Sequence, residues 1–140
     1  MSRAFVLDAS VTMSWFFEDE TDTYGELVKE AVRLGATPIV PALWPIETTH
    51  VIIRAGRRER LSAKKALEVL TLLKSLPVEI DDMSSRISFS EGWALAKAHQ
   101  LSAYDAMYLE LAIRRGLPLA TLDSPFQKAA RKAGALLFLK

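Results

Sequence analysis

Three aspartates occupy similar positions in the sequence, each close to the start of a predicted helix. Asp8 follows the apolar run 4–7, and Asp123 follows the run 119–122. Asp105 stands at the first position of a third helical stretch. In an open α/β sheet, ligands bind beyond the carboxyl ends of the strands, close to helix N-termini. These positions predict a shared site, although aspartate is also a favoured N-cap and each could simply cap its helix.

A fourth acid, Glu47, lies in a mostly apolar helical stretch. Its neighbours three and four positions away are Leu43, Trp44, His50 and Val51. A carboxylate on an apolar helix face is costly unless it is paired or bound to a cation. The simpler alternatives are a salt bridge to Arg54 or a place on an exposed edge of the helix.

Four carboxylates without an equal number of basic partners would make a poor salt-bridge cluster but a good site for a hard cation. The chain has no cysteine and only two histidines, which excludes thiolate zinc sites and disfavours a histidine-rich one. Oxygen ligands instead favour Mg²⁺ or Mn²⁺. Such ions assist phosphodiester cleavage by generating hydroxide and stabilising charge on the phosphate. The predicted ligands and catalytic residues are Asp8, Glu47, Asp105 and Asp123.

A basic run follows the helix that carries Glu47. Six positive charges occur within twelve residues, opposed only by Glu59. They are Arg54, Arg57, Arg58, Arg60, Lys64 and Lys65. The run could contact a phosphate backbone near the site, or it could be an ordinary solvated surface.

The composition is that of one globular domain over residues 1–140. Half of the residues are apolar, and 18 Lys and Arg are balanced by 17 Asp and Glu, so net charge does not indicate a nucleic-acid or membrane binder. No apolar stretch is long enough to span a membrane. The N-terminal apolar run 4–7 is too short for a signal peptide, so we expect a cytoplasmic protein.

Short apolar runs alternate with longer stretches of helical periodicity, which is typical of an α/β fold with a parallel sheet. Helices cover both faces of such an open sheet. The predicted strands are residues 4–7, 37–40, 78–80, 119–122 and 135–139. The seven predicted helices are about 10–17, a second ending at Gly35, 43–58, 62–76, 84–100, 105–115 and 125–133.

Taken in order, these residues resemble a PIN domain, and closely the VapC-type toxins of bacterial and archaeal toxin–antitoxin pairs. The similarity extends over residues 5–139. The four acids in their strand and helix contexts make it specific. The matching segments are Asp8-Ala9-Ser10 with Trp15, Phe16 and Glu18; Glu47 in Trp-Pro-Ile-Glu; Tyr104-Asp105-Ala106 with Tyr108, Leu111 and Ala112; and Thr121-Leu122-Asp123 with Phe126.

The resemblance implies a five-stranded parallel sheet between helices and a Mg²⁺-dependent endoribonuclease that is inhibited by a cognate antitoxin and is usually a homodimer. It also implies that Ser10 and Thr121 place hydroxyls beside the metal site. One position departs from the family, because members frequently carry an asparagine three residues after the helix glutamate, and this chain has His50 there. Neutral histidine can also donate a hydrogen bond to a carboxylate, so we expect activity to be kept with a different local pH response.

Other α/β families fit less well. A haloacid-dehalogenase-like phosphotransferase needs a second aspartate two residues after the first, where this chain has Ser10. A receiver domain needs adjacent acids after the first strand, whereas Asp81 and Asp82 follow the third. Nucleotide-binding glycine-rich spacing is absent from the sequence. The remaining alternative is a catalytically weak PIN-fold module that binds RNA or protein.

Two helices are rich in aromatic and aliphatic side chains around Trp15 and Trp44. Most of these side chains are expected in the core. Mean hydropathy is +0.13, so we expect part of this apolar surface to form a groove that an antitoxin helix covers.

Overall fold

A four-stranded parallel sheet forms the centre of the fold. The computed structural model describes residues 3–140, apart from the side chain of Ser84. The strands are β1 (Ala4–Leu7), β2 (Thr37–Pro41), β3 (Glu79–Asp81) and β4 (Leu119–Ala120). Their order in the sheet is β3-β2-β1-β4, and every pair is parallel. The carboxyl ends of all four strands therefore lie at the same edge.

The central strand β1 is a continuous apolar run because both faces of the sheet are covered. Phe5, Val6 and Leu7 are fully buried. In contrast, Glu79 and Ile80 of β3 are exposed, as expected for a strand at the edge of the sheet.

The prediction of a fifth strand over residues 135–139 was wrong. In the part of the chain that the structure describes, this segment makes one isolated parallel bridge, between Leu119 and Leu137. Its partner β4 ends at Ala120 rather than at residue 122, so there is little strand to pair with. The segment itself turns at Leu139, where φ is 59° and the backbone is therefore left-handed.

The helices agree in number with the prediction. Three segments, α5 (Ser84–Ile87), a π turn (Ser88–Gly92) and α6 (Trp93–His99), follow one another without a break and together form the single helix predicted for residues 84–100. With that run counted once, the described residues form seven helices, besides a short 3₁₀ turn at Glu18–Glu20. Their bounds are α1 (Ala9–Ser14), α2 (Thr23–Arg33), α3 (Trp44–Arg57), α4 (Ala63–Ser75), α5 (Ser84–Ile87), the π turn (Ser88–Gly92), α6 (Trp93–His99), α7 (Ala103–Arg115) and α8 (Ser124–Lys132).

Helix α7 is the most buried helix and packs against β1 and β2. Its residues 106–112 are all buried, including the fully buried Tyr108. At its far end, Arg114 donates hydrogen bonds to Asp81 at 2.8 Å and to Glu110 at 2.8 Å. The bond to Asp81 joins the end of α7 to β3, and the bond to Glu110, within α7, holds the Arg114 side chain in place.

No helix among the described residues is long and apolar enough to cross a membrane.

Candidate active site

Asp8 lies at the carboxyl end of β1 and is almost completely buried, with 6 % of its surface exposed. It occupies the N-cap position of α1, but its side chain makes no capping hydrogen bond. Instead, its Oδ2 accepts hydrogen bonds from Ser10 Oγ at 2.5 Å and Thr121 Oγ1 at 2.9 Å. Burial raises the pKa of Asp8, against the lowering effect of these two hydroxyls. For this aspartate, the simple capping alternative is therefore wrong.

Ser10 and Thr121 connect the ends of β1 and β4 around Asp8. The backbone N–H of Leu122 donates to Ser10 Oγ at 3.1 Å, and that of Asp123 donates to Thr121 Oγ1 at 3.2 Å. Because each hydroxyl both accepts from the backbone and donates to Asp8, its orientation is fixed. The chain leaves β4 after Ala120 to make these contacts, which explains why the strand is shorter than predicted.

Asp105 lies in the first turn of α7 and does not cap the helix. Ser102 is the N-cap, and its Oγ accepts a hydrogen bond from the Asp105 N–H at 3.0 Å. The Asp105 carboxylate is thus left available at the site. Burial, together with the charges of Asp8 and Asp123, raises the pKa of Asp105 to about 6.

Glu47 projects from the first turn of α3 and accepts a 2.6 Å hydrogen bond from the hydroxyl of Tyr108. Burial, together with the charges of Asp8 and Asp105, raises the pKa of Glu47 to about 7, although the Tyr108 bond acts in the opposite direction. In the described part of the chain, Glu47 makes no salt bridge to Arg54.

Tyr108 is the site residue that reasoning from the acids missed. A buried tyrosine hydroxyl needs a hydrogen-bond partner, and Tyr108 lies in the apolar face of α7, three residues after Asp105. This combination of burial and spacing could have indicated that Tyr108 takes part in the site.

Asp123 does cap a helix, as its simpler interpretation predicted. Its Oδ1 accepts a hydrogen bond from the Phe126 N–H at 3.1 Å at the start of α8. It also belongs to the acidic neighbourhood, because its charge raises the pKa of Asp105.

The four carboxylates therefore influence one another electrostatically, from Glu47 through Asp8 and Asp105 to Asp123. Among residues 3–140, none of them forms an ion pair with lysine or arginine. His50 lies exposed on α3, and its side chain makes no hydrogen bond to another described residue. Uncompensated negative charge of this kind attracts a cation.

The donor set fits a hard divalent cation, since all four side chains offer carboxylate oxygens. The spacing is looser than a closed cage. In the chain as described, no group of three or more Asp, Glu, His or Cys side chains is arranged to hold a metal ion. Mg²⁺ usually keeps several waters and binds through only one or two carboxylates. The arrangement is therefore compatible with a partly hydrated ion.

The basic run divides into two groups. Arg60 pairs with Asp19 at 2.9 Å and with Glu20 at 3.2 Å, and Lys65 lies 3.7 Å from Glu68. The other four are exposed and form no ion pair with any residue that the structure describes: Arg54, Arg57 and Arg58 at the end of α3, and Lys64 at the start of α4.

The apolar surface differs from the prediction at Trp44. Trp44 is buried in the core, where its Nε1 donates to Thr12 Oγ1 at 3.2 Å. A groove of about 760 Å³ does lie beside Trp15, between the α1–α2 region and α4. Its apolar lining includes Trp15, Phe16, Phe17, Val69, Leu72 and Leu76.

A family model described as the PIN domain matches residues 5–132. No curated protein matches the chain by sequence. Among solved structures, a toxin–antitoxin complex from Klebsiella pneumoniae is 16 % identical, with 88 % of this chain and 89 % of that chain covered and a TM-score of 0.62.

Two further structures are similar over almost their whole length. VapBC2 from Rickettsia felis, bound to a DNA fragment from its promoter, is 14 % identical, with coverage of 96 % and 97 % and a TM-score of 0.65. FitAcB from Neisseria gonorrhoeae is 18 % identical, with coverage of 96 % of both chains and a TM-score of 0.62. At these identities, the similarity establishes a shared fold.

Proposed function

This chain belongs to the PIN domain family, and on that premise we propose that it is a metal-dependent endoribonuclease, the toxin of a toxin–antitoxin pair that acts on RNA in the cytoplasm. The observation that carries the proposal is the buried Asp8 carboxylate, which shares its surroundings with three other acids and has no basic partner among the described residues. The proposed role as a toxin is supported by a structure of similar fold, which is a toxin–antitoxin complex.

In this proposal, Asp8, Glu47, Asp105 and Asp123 hold one or more Mg²⁺ or Mn²⁺ ions, some directly and others through water. The bound ion would supply hydroxide as the nucleophile and stabilise charge on the phosphate. Ser10 and Thr121 keep the Asp8 carboxylate in one orientation, and Tyr108 does the same for Glu47. These hydrogen bonds preorganise the site, which reduces the reorganisation needed during the reaction.

The groove between the α1–α2 region and α4 is the proposed antitoxin site. An amphipathic helix could place its apolar face against Trp15, Phe16 and Leu72. Charged side chains of both signs, among them Lys29 and Glu30, line the same groove and could pair with the polar side of that helix. A basic residue of the antitoxin that reached the four acids would replace the charge of the metal ion and block the site.

The proposed homodimer uses another apolar face. Phe89, in the π turn, is 99 % exposed and stands at the rim of a cavity of about 480 Å³. Trp93, Tyr104 and Met107 are among the residues that line this cavity. A two-fold axis brings the same patch of two subunits together. A protruding ring beside a cavity is self-complementary under such an axis, because each Phe89 can enter the cavity of the other copy.

The alternative is a catalytically weak module of the same fold that binds RNA or protein. Loss of one of the four acids would favour the binding module. All four are present, so we favour the nuclease. The two functions make opposite predictions for metal-dependent RNA cleavage.

The purified protein is incubated with single-stranded RNA in Mn²⁺, Mg²⁺ or EDTA, and the products are separated by gel electrophoresis. We expect cleavage with either ion, none with EDTA, and none for Asp8→Asn or Asp105→Asn. Asp82→Asn is the matched control, because Asp82 is exposed and remote from the four acids in sequence. Cleavage by both site variants at the parental rate would refute the assignment, and no cleavage by the parent would favour the binding module.

A further inference from the structure

Three arginines, Arg54, Arg57 and Arg58, stand at the end of the helix whose first turn carries Glu47. α3 contains Glu47 in its first turn and Arg54 in its last, and Arg58 is its C-cap. Each residue of an α-helix adds about 100° around the axis and about 1.5 Å along it. Arg54 and Arg58 therefore lie within about 20° of the line that runs from Glu47 along the helix, about 10 Å and 16 Å away. We call this pair the arginine row.

The arginine row is free to bind an anion. Both side chains are exposed, and neither forms an ion pair with the residues described by the structure. Arg60, only two residues beyond Arg58, is held by Asp19 and Glu20 and also lies over the ring of Phe17. Arg60 is thus held by contacts within the protein, whereas Arg54 and Arg58 are not.

A simpler explanation is that basic residues in the last turn stabilise the helix by opposing its dipole. That effect requires positive charge near the helix end but no alignment with a particular residue in the first turn. α8 provides a comparison, since Arg131 and Lys132 lie in its last turn and are also exposed.

We infer that Arg54 and Arg58 bind consecutive backbone phosphates of a single-stranded RNA whose scissile phosphate lies at the Glu47 end of α3. The inference rests on the proposed nuclease function and adds the direction in which the substrate leaves the site. Arginine suits this role, because its guanidinium can donate two parallel hydrogen bonds to a phosphate. In the absence of metal, the four carboxylates repel the negatively charged RNA. The arginine row would attract it.

The test measures binding of a labelled single-stranded RNA in EDTA at several KCl concentrations, by fluorescence anisotropy. Each phosphate contact on a single strand contributes about 0.7 to the slope of log K against log salt. Arg54→Gln with Arg58→Gln should therefore lower the slope by about 1.4. Arg54→Lys with Arg58→Lys should largely restore it, because lysine keeps the charge. Arg131→Gln with Lys132→Gln removes the same charge from another helix end and should leave the slope unchanged.

Equal losses in the α3 and α8 variants, an unchanged slope in the α3 variant, or no binding by the parent would each overturn the inference. Thermal melting of every variant checks that the fold is kept. Because binding in EDTA requires no cleavage, the result is separate from the metal-dependent assay. A parent that cleaves RNA while the α3 variant keeps its slope would contradict the arginine row and leave the nuclease function standing.

Discussion

The hydroxyl of Tyr108 lies 2.6 Å from Oε1 of Glu47, a contact between residues that are 61 positions apart in sequence. It joins α7, which carries Asp105, to α3, which carries Glu47. Because Tyr108 is fully buried, its hydroxyl has little freedom to move. The hydrogen bond therefore also restricts the orientation of the Glu47 carboxylate. Two of the four acids are thus held in a fixed relation by a residue that does not itself carry charge.

Tyr108→Phe should destabilise the protein by about 1.5–3 kcal/mol at pH 8, the usual contribution of a hydrogen bond to a charged group. The loss should be smaller at pH 5, because Glu47 is then largely protonated. Urea unfolding at both pH values measures it. Tyr104→Phe is the control, since Tyr104 is exposed on the same helix. Equal losses at the two pH values would show that the bond to the carboxylate is not the cause.

The metal-free protein should become less stable as pH rises from about 4.5 to about 7. The folded-state pKa is raised to about 7 for Glu47 and about 6 for Asp105, from 4.5 and 3.8. In this window, the folded chain keeps protons that the unfolded chain releases, so the free energy of unfolding falls with pH. Urea unfolding in EDTA tests this. Glu47→Gln with Asp105→Asn should flatten the dependence, and stability that increased through this window would contradict it.

A divalent ion should stabilise the folded protein, because the unfolded chain scatters its acids. At a hundred times Kd, the gain is about 2.7 kcal/mol, or several degrees in melting temperature. Asp8→Asn should raise the metal-free melting temperature, because it removes a buried charge, and should reduce the shift caused by Mn²⁺. Melting curves with EDTA and with Mn²⁺ test both effects. Identical shifts in parent and variant would place the ion elsewhere, for example at the acidic residues 18–22.

Phe89→Asp should convert the proposed homodimer into a monomer, because the interface would then have to desolvate a charge. Light scattering after size-exclusion chromatography gives the mass. Leu34→Asp is the matched control, since Leu34 is 72 % exposed at the end of α2 and does not line the cavity. A Phe89→Asp protein that remained dimeric would exclude this face as the interface.

Leu72→Asp should abolish binding of the cognate antitoxin and leave RNA cleavage unchanged. Leu72 lines the groove beside Trp15 and is 50 % exposed. Leu67→Asp is the control on the same helix, because Leu67 is 66 % exposed and lies outside the groove. The antitoxin is expected from the gene beside this one, and isothermal titration calorimetry measures its affinity. Equal binding by the two variants would place the antitoxin on another surface.

The sequence predicted the parallel sheet, the seven helices, the place of Asp8 at the end of a strand and that of Glu47 in a helix, because these depend on local apolar periodicity. It did not predict the contact of Tyr108 with Glu47, which depends on how two distant helices pack. The wrong fifth strand has a similar origin, since the apolar run 135–139 can pair only as far as β4 extends. β4 stops at Ala120 because Thr121 turns to meet Asp8.

The N-cap of α7 is a different case. Ser102 stands three residues before Asp105, which is the spacing at which a serine hydroxyl accepts from a backbone N–H. This local pattern could have assigned the cap to Ser102 and the free carboxylate to Asp105. Trp44 could not be placed in the same way, because its burial depends on the partner that its indole N–H finds in α1.

The π turn at Ser88–Gly92 has an evolutionary consequence. It closes so tightly on α7 that a side chain at Gly92 would have its Cβ 2.1 Å from Cε of Met107. A π turn contains one residue more than an α-helical turn, so loss of a single codon could restore a regular helix. The helical residues just before the deletion, including Phe89, would then rotate by about 100° relative to α6. In related chains, one insertion or deletion here could thus alter or remove the proposed dimer interface at Phe89, while the four acids of the site stay unchanged.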